Sequence, residues 1–300
     1  MIRFNVEQSV YNISGVEVGG QPGERPMLLI GSMFFNGHKI IKDSIKGTFD
    51  RDMAKMLLDL EAEAASFTGN PGFIDVIGET GGALINYIEF VALHSKSPIL
   101  VDSFSQKVRM EAIKHFAKTE VMPRLVYNSI AEDYTDEELA CLKDCGVKSA
   151  VILAFSTSTP KPKSRIKLLQ EKLLPAAEKA GIENMLIDPG VLDVPSVGWT
   201  VLAIGEIKET LGLPSGCAPS NSLYTWKKLQ EQGQGAFEAA AASVFALTRT
   251  QGADFVFYGP IRNAPWVFTA AAAVDAIIAY TGRFTGLNPV TDDHPLYKIF

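Results

Sequence analysis

The sequence predicts a (β/α)8 barrel, an α/β fold in which residues 1–300 form one domain. Three observations carry that expectation. Short apolar runs alternate with helical patterns eight times in order. The units recur at a spacing of roughly 30 residues, which favours a closed barrel over an open sheet. Runs such as Ala150-Val-Ile-Leu-Ala-Phe155 are continuously apolar, as strands of a parallel sheet covered on both faces must be, whereas half-exposed strands would alternate. The 300 residues, 47% of them hydrophobic, are enough to core one such barrel.

Residues 1–26 are polar and rich in glycine (Gly15, Gly19, Gly20, Gly23) and are expected to form a small hairpin capping the barrel floor. The first strand is read at Met27 to Ser32. A long connection through Phe35 and His38 leads to a helix from Arg51 to Phe67, with Asp50 as its N-cap. Strand Phe73 to Ile77, helix Gly82 to His94, strand Pro98 to Asp102 and helix Gln106 to Lys118 follow. Then come strand Arg124 to Asn128, helix Asp136 to Cys145, strand Ser149 to Phe155 and helix Lys163 to Ala180. Strand Met185 to Asp188, helix Ser196 to Leu211, strand Leu213 to Cys217 and a helical region from Tyr224 to Thr250 continue the pattern. Strand Asp254 to Tyr258 and helix Ala264 to Tyr280 complete it, and residues 281–300 form a C-terminal tail.

A net charge of -6 and no Lys/Arg-dense block argue against a nucleic-acid partner, because phosphate binding draws on clustered positive charge. The N-terminus lacks the apolar segment of a signal peptide, and the alanine-rich run from Phe237 to Leu247 is broken by Glu238 and Ser243, so no membrane span is expected. Three cysteines fit a reducing compartment, and the chain reads as cytoplasmic.

Four strand-like runs end on an Asp or an Asn: Asp102, Asn128, Asp188 and Asn221. Pro189-Gly190 turns the backbone immediately after Asp188 and presents its side chain at the strand's C-terminal end. Any one of these residues could simply cap the next helix. Four around one rim point to a shared pocket, because a barrel's top face gathers separate strand ends. Ionised Asp only accepts hydrogen bonds, while Asn both donates and accepts, so the set suits a heterocycle with adjacent N–H donors and ring acceptors. A pterin edge, with its 2-amino group and N3–H, presents that pattern.

The motifs resemble those of the pterin-binding barrel superfamily, the dihydropteroate synthase-like barrels. Asp75-Val-Ile-Gly78-Glu79-Thr80, Val101-Asp102-Ser103, Tyr127-Asn128-Ser129 and Ile187-Asp188-Pro189-Gly190 carry that resemblance. Val18-Gly-Gly-Gln-Pro-Gly-Glu24, Phe35-Asn-Gly-His-Lys-Ile40 and Gly69-Asn-Pro71 are similar to the family of H-type subunits of tetrahydromethanopterin methyltransferases. Relatives of that family include the methyltransferase of the glycine-betaine pathway, which delivers methyl groups to tetrahydrofolate. The resemblance implies that Asp102, Asn128 and Asp188 hold the pterin edge, that Asn221 lies near N5 as the catalytic residue, and that Glu79 and Arg262 assist binding. It further implies tetrahydrofolate as substrate, methylcobalamin carried by a separate corrinoid protein, and a homodimer. Phe34, Phe35, Trp199 and Tyr224 are candidates for a docking face at the barrel mouth.

Other chemistries fit less well. Dihydropteroate synthase has a Lys on the seventh strand and Arg-x-His on the eighth; this chain has no Lys at the former and Tyr258-Gly-Pro-Ile-Arg262 at the latter. Cys141 and Cys145 stand one helical turn apart, but no His lies at metal-ligand spacing, and the pair reads as core packing, so no metal site is expected. No Lys ends a core strand to form a Schiff base, and Gly81-Gly82 alone is a poor phosphate loop. The expected function is therefore methyl transfer from a methyl-corrinoid protein to N5 of tetrahydrofolate. Tetrahydromethanopterin as the pterin, or a non-catalytic pterin-binding subunit, stands as the alternative.

Overall fold

A computed structural model describes residues 3–155 and 161–299. Met1 and Ile2 of the expected N-terminal cap and Phe300 of the expected tail lie outside the described residues. The barrel strands are β1 (Leu28–Met33), β2 (Gly72–Ile77), β3 (Ile99–Asp102), β4 (Leu125–Ile130), β5 (Ser149–Leu153), β6 (Asn184–Asp188), β7 (Gly216–Cys217) and β8 (Phe255–Pro260). Neighbouring strands pair in parallel from β6 back to β1, then on to β8 and β7. An isolated parallel bridge between Ile187 and Ser215 joins β6 to the start of β7. There Ile187 N–H donates to the Pro214 carbonyl (2.9 Å) and Ser215 Oγ donates to the Ile187 carbonyl (3.0 Å). That contact closes the ring, and each of the eight described barrel strands has a neighbour on both sides.

The helices form the outer wall: α1 (Arg51–Thr68), α2 (Gly81–His94), α3 (Gln106–Phe116), α4 (Asp136–Cys145), α5 (Pro162–Leu168), α6 (Val197–Leu211), α7 (Gln234–Thr250) and α8 (Ala264–Gly282). Caps set their boundaries. Asp50 accepts from Met53 N–H, Thr80 from Ala83 N–H and Thr135 from Glu138 N–H, while Gly69, Gly146 and Gly212 end their helices in the left-handed conformation.

The structure corrects the expected elements in four places. The helix read from Lys163 to Ala180 is interrupted: α5 passes into a π-turn at Leu169–Leu173, and helical geometry resumes at Leu174–Lys179. Pro175 sits just after the wide turn and has no N–H to continue an ordinary helical ladder. The region from Tyr224 to Thr250 is three helices, Pro219–Thr225, Lys227–Glu231 and α7, separated at Trp226 and at Gly233. Strand β7 keeps only two residues of the expected five, since Pro214 supplies no donor to a ladder. Finally, residues Ile261–Thr285, which include α8, are long and apolar enough to cross a membrane by length and composition. Ala271, Ala272, Ala276 and Ala279 of α8 are buried in the wall, and the helix packs against α1 and α7.

Side chains alternate between the barrel's interior and its wall, as strand geometry requires. Leu28, Ile30, Phe73, Leu100, Val126, Val151, Leu186, Phe255 and Phe257 form the interior cluster. The N-terminal hairpin, Val10–Ile13 paired antiparallel with Val16–Gly19, adds Ile13 and Val18 to that cluster, plugging the barrel where its strands begin. Buried ion pairs stitch the same end. Lys208 Nζ lies 2.7 Å from Asp254, which also accepts from Ser215 N–H. Arg249 Nε lies 2.6 Å from Asp275, which accepts from Met27 N–H and Asn70 Nδ2. The end where the strands start is thus tied for stability, and the opposite end is left open.

Candidate active site

At the C-terminal ends of the strands the interior alternation turns polar. Ser32 follows Ile30 on β1, Asp75 follows Phe73 on β2, Asp102 follows Leu100 on β3, Asn128 follows Val126 on β4, and Asp188 follows Leu186 on β6. Register aligns them. Ser32 pairs with Asp75 across β1–β2, and Asp102 with Asn128 across β3–β4. All five line one cavity of about 480 Å³, together with Asn221 and the apolar side chains of Val151, Leu153 and Phe257. An apolar floor with a few convergent polar groups is the usual form of a small-molecule site.

The structure therefore brings together Asp102, Asn128, Asp188 and Asn221, the four residues at the sequence's strand-like ends. Asn221 differs in its support: it is carried on the short helix Pro219–Thr225 after β7, exposed at the mouth, not on a strand. Arg262 lies on the turn after β8 and lines an adjoining cavity, and Glu79 lies further out, where its Oε2 accepts from Ser44 Oγ at 2.8 Å. Phe34 is buried and stacks on Tyr87 with ring centroids 4.1 Å apart, so it cannot join a docking face, whereas Phe35, Trp199 and Tyr224 retain exposed surface. Phe104 at the cavity rim is fully exposed.

Sequence reasoning missed Ser32, Asp75 and Arg109 as site residues. Asp75 carried a signal: it is the one charged residue inside the apolar run Phe73 to Ile77. Its Oδ2 accepts from Ser32 Oγ at 2.7 Å and its Oδ1 from Asn128 Nδ2 at 3.4 Å. Arg109 reaches from α3 under the rim. It donates to the Ser103 and Ser129 carbonyls that follow β3 and lie within β4, and it pairs with Glu138 at 3.1 Å. Tyr127 OH donates to the same Glu138 carboxylate. One guanidinium thereby fixes the two backbone segments that present Asp102 and Asn128.

Asp188 is held by its own turn. Gly190 N–H donates to Asp188 Oδ1 at 2.7 Å, and Gly190 has φ +75 with Phe155 Cβ only 2.5 Å from where a side chain would begin, so only glycine fits. Beneath the turn, Arg165 Nη1 donates to the Pro189 and Gly190 carbonyls (2.7 and 3.0 Å) and to Thr200 Oγ1 (3.0 Å).

Burial pushes all three carboxylates up from the ordinary range. Asp188 rises to about 6, with the Gly190 N–H and the nearby Arg165 opposing the shift. Asp75 is raised by burial against its hydrogen bonds from Ser32 and Asn128. Asp102 is raised well above its usual value by burial and then by the negative charge of Asp75, with Arg109 opposing. The cavity thus holds carboxylates whose charge a hydrogen-bonding ligand would stabilise. Among the described residues no group of three or more His, Cys, Asp or Glu side chains is arranged to hold a metal ion. Burial also raises the Cys141 thiol, to about 11, and raises Cys217 well above its usual value, which keeps both as thiols.

The barrel resembles solved dihydropteroate synthases. That of Xanthomonas albilineans, in complex with indole-2-carboxylic acid and 6-chloroguanine, superposes with a TM-score of 0.63 at 18% identity, covering 91% of this chain and 98% of that one. That of Yersinia pestis with a sulfonamide drug gives a TM-score of 0.64 at 16% identity, covering 90% and 98%. At such identities the likeness establishes the fold alone. In sequence, the chain is 37% identical to the H-type subunit of tetrahydromethanopterin S-methyltransferase from Methanopyrus kandleri over 310 aligned positions, covering 96% of each chain. It is 36% identical to the corresponding subunit of Methanocaldococcus jannaschii over 319 positions, covering all of both. The family model for the tetrahydromethanopterin S-methyltransferase MtrH subunit matches residues 6–290. A dihydropteroate synthase-like barrel with this match along nearly its whole length belongs to the tetrahydromethanopterin S-methyltransferase MtrH subunit family, a methyltransferase family.

Proposed function

We propose that the chain transfers a methyl group between a methylated corrinoid on a separate protein and N5 of a tetrahydropterin. The observation that carries this reading is the ring of interior hydrogen-bonding side chains at the barrel mouth, three of them carboxylates, with Asp75 and Asp188 buried and Asp102 half-buried, above an apolar floor. A pterin's 2-amino group and N3–H donate to carboxylates, and its ring nitrogens and carbonyl accept from Asn128. Val151, Leu153 and Phe257 give the flat ring an apolar surface to rest on. The names of the family and of its relatives favour tetrahydromethanopterin over tetrahydrofolate, the first expectation from the sequence. Both share the pterin head that this cavity fits.

The corrinoid supplies a methyl group that a nucleophile can displace from cobalt. The chain's own work is positioning. Asp75, Asp102, Asn128 and Asp188 fix the ring, and Asn221 at the mouth faces N5. N5 takes the methyl with its lone pair, the carbon–metal electron pair stays with the metal, and the N5 proton leaves to solvent. An amide suits this step, since Asn221 can accept from N5–H as positive charge develops there and, once the proton has left, donate to the lone pair that remains on N5. The relatives are each named as one subunit of a methyltransferase, which supports a partner protein for this chain as well, and the three free cysteines support a cytoplasmic setting.

The test is calorimetric titration of tetrahydromethanopterin and of tetrahydrofolate into the purified protein. Binding of either with an affinity lost in Asp188→Ala supports the pocket, and the tighter ligand identifies the pterin. No binding of either overturns the reading.

A further inference from the structure

A second cavity, of about 440 Å³, opens beside the first and shares Ser32, Ile77, Asn221 and Gly259 with it. Its other walls include Phe35, Tyr224, His38, Lys39 and Arg262. Lys39 and Arg262 are exposed cations, and neither forms an ion pair with a described side chain. The nearby Glu79 is engaged by Ser44 Oγ at 2.8 Å. His38 is buried, and its Nδ1 accepts from Phe34 N–H at 3.0 Å, which leaves Nε2 to carry the proton as a donor. Burial and the charge of Arg262 lower His38 to about 4, so it stays neutral at physiological pH while Arg262 stands beside it. The cavity is thus a pocket of donors with no acidic side chain among its described lining residues.

Resting on the pterin reading above, we infer that this second cavity binds the acidic chain attached to C6 of the substrate pterin, with Lys39 and Arg262 pairing its carboxylate or phosphate groups. The connectivity of the ligand leads there. The 2-amino and N3 edge lies at the far end of the fused ring from C6, and C6 is bonded directly to N5. With the donor edge held by Asp75, Asp102 and Asp188, and N5 at Asn221, the C6 substituent leaves past Asn221, which with Ser32, Ile77 and Gly259 lines both cavities. Tetrahydrofolate and tetrahydromethanopterin both carry an aryl ring followed by acidic groups on that substituent. Phe35, stacked on His38 at 4.6 Å, and Tyr224 offer walls for the aryl ring, and the cations lie on the same lining. Arg262 presents a planar fork that matches a carboxylate or phosphate, and Lys39 adds a mobile point charge.

The test compares three ligands, 6-methyltetrahydropterin, tetrahydrofolate and tetrahydromethanopterin, on the wild type, Lys39→Gln, Arg262→Gln and the double variant. The expected result is that tail-less 6-methyltetrahydropterin binds the wild type and Lys39→Gln equally. The acid-bearing pterin should bind the wild type more tightly, losing about tenfold with each single substitution and more in the double variant. Raised salt should weaken the acid-bearing ligand only. Unchanged affinity of the acid-bearing ligand in the double variant overturns the inference while the pterin site stands. If that variant instead slows transfer from free methylcobalamin with pterin affinities intact, the cations serve the corrinoid's phosphate and the inference is likewise overturned. Failure of 6-methyltetrahydropterin and of both tailed pterins to bind the wild type removes the pterin reading itself, and this inference with it.

Discussion

Asp75 and Asp102 line one cavity, where burial raises both carboxyls above the ordinary range and the negative charge of Asp75 raises Asp102 further. This costs the empty protein stability. An acid whose folded pKa is raised destabilises the fold as pH climbs from its unfolded value through its folded one. Asp75→Asn should therefore stabilise the unliganded protein at pH 7 by roughly 1–2 kcal/mol, with the gain fading as pH falls toward 4. The same substitution should weaken pterin binding at least tenfold, because an amide replaces an acceptor-only group (roughly 1.4 kcal/mol). Thermal unfolding and calorimetry at both pH values check the opposed signs. For Asp188, raised to about 6, a ligand that donates hydrogen bonds needs the ionised form. Through Asp188, pterin affinity should fall as pH drops below about 6, with protons released on binding. In the proposed reading Asn221 faces the reacting end of the ligand, not its recognition edge, so Asn221→Ala should lower the transfer rate more than it raises the dissociation constant. Equal, negligible effects from Asp188→Ala and Asn221→Ala would remove the pocket assignment.

At the level of elements, most of the strands and helices were legible, because continuous apolar runs and caps such as Asp50, Thr80 and Thr135 are local signals. The departures came where tertiary contacts decide. The π-turn at Leu169–Leu173 and the two-residue β7 follow from Pro175 and Pro214, whose effects depend on the surrounding ladder. The same limit applies to the site. Asp102, Asn128 and Asp188 were visible because apolar runs stop on them, while Asp75 and Ser32 lie within runs and become polar lining only once register places them side by side. Arg109 gave no local signal at all, since its partners Ser103, Ser129 and Glu138 come from three other segments. Its removal tests how far the rim depends on it. Arg109→Met leaves Glu138 buried without its cation and should cost about 3–5 kcal/mol of stability. Arg109→Lys keeps the charge but not the fork to both carbonyls, so it should recover part of the stability and less of the pterin affinity. Equal recovery of both would contradict a positioning role.

The whole molecule divides its labour between its two ends. The strand starts are tied by Lys208–Asp254, Arg249–Asp275 and the hairpin that seats Ile13 in the barrel, and the strand ends gather hydrogen-bond acceptors around the cavity. Ile13→Ala should lower stability by about 2–4 kcal/mol through the cavity it leaves, with pterin affinity unchanged at temperatures where the protein stays folded. A matched loss of affinity would show that the ends are coupled. In the proposed reaction this mouth passes a methyl group to N5 of a tetrahydropterin, which single-turnover transfer from a methylated corrinoid would follow. The purified protein, methylcobalamin and either tetrahydromethanopterin or tetrahydrofolate would be mixed anaerobically, with the corrinoid spectrum and the pterin product followed together. Loss of the methylcobalamin spectrum in step with formation of the N5-methyl pterin, slowed in Asn221→Ala, is the expected result. Pterin binding without transfer, from methylcobalamin and from a methylated corrinoid protein alike, would contradict it and leave a pterin-binding subunit in its place.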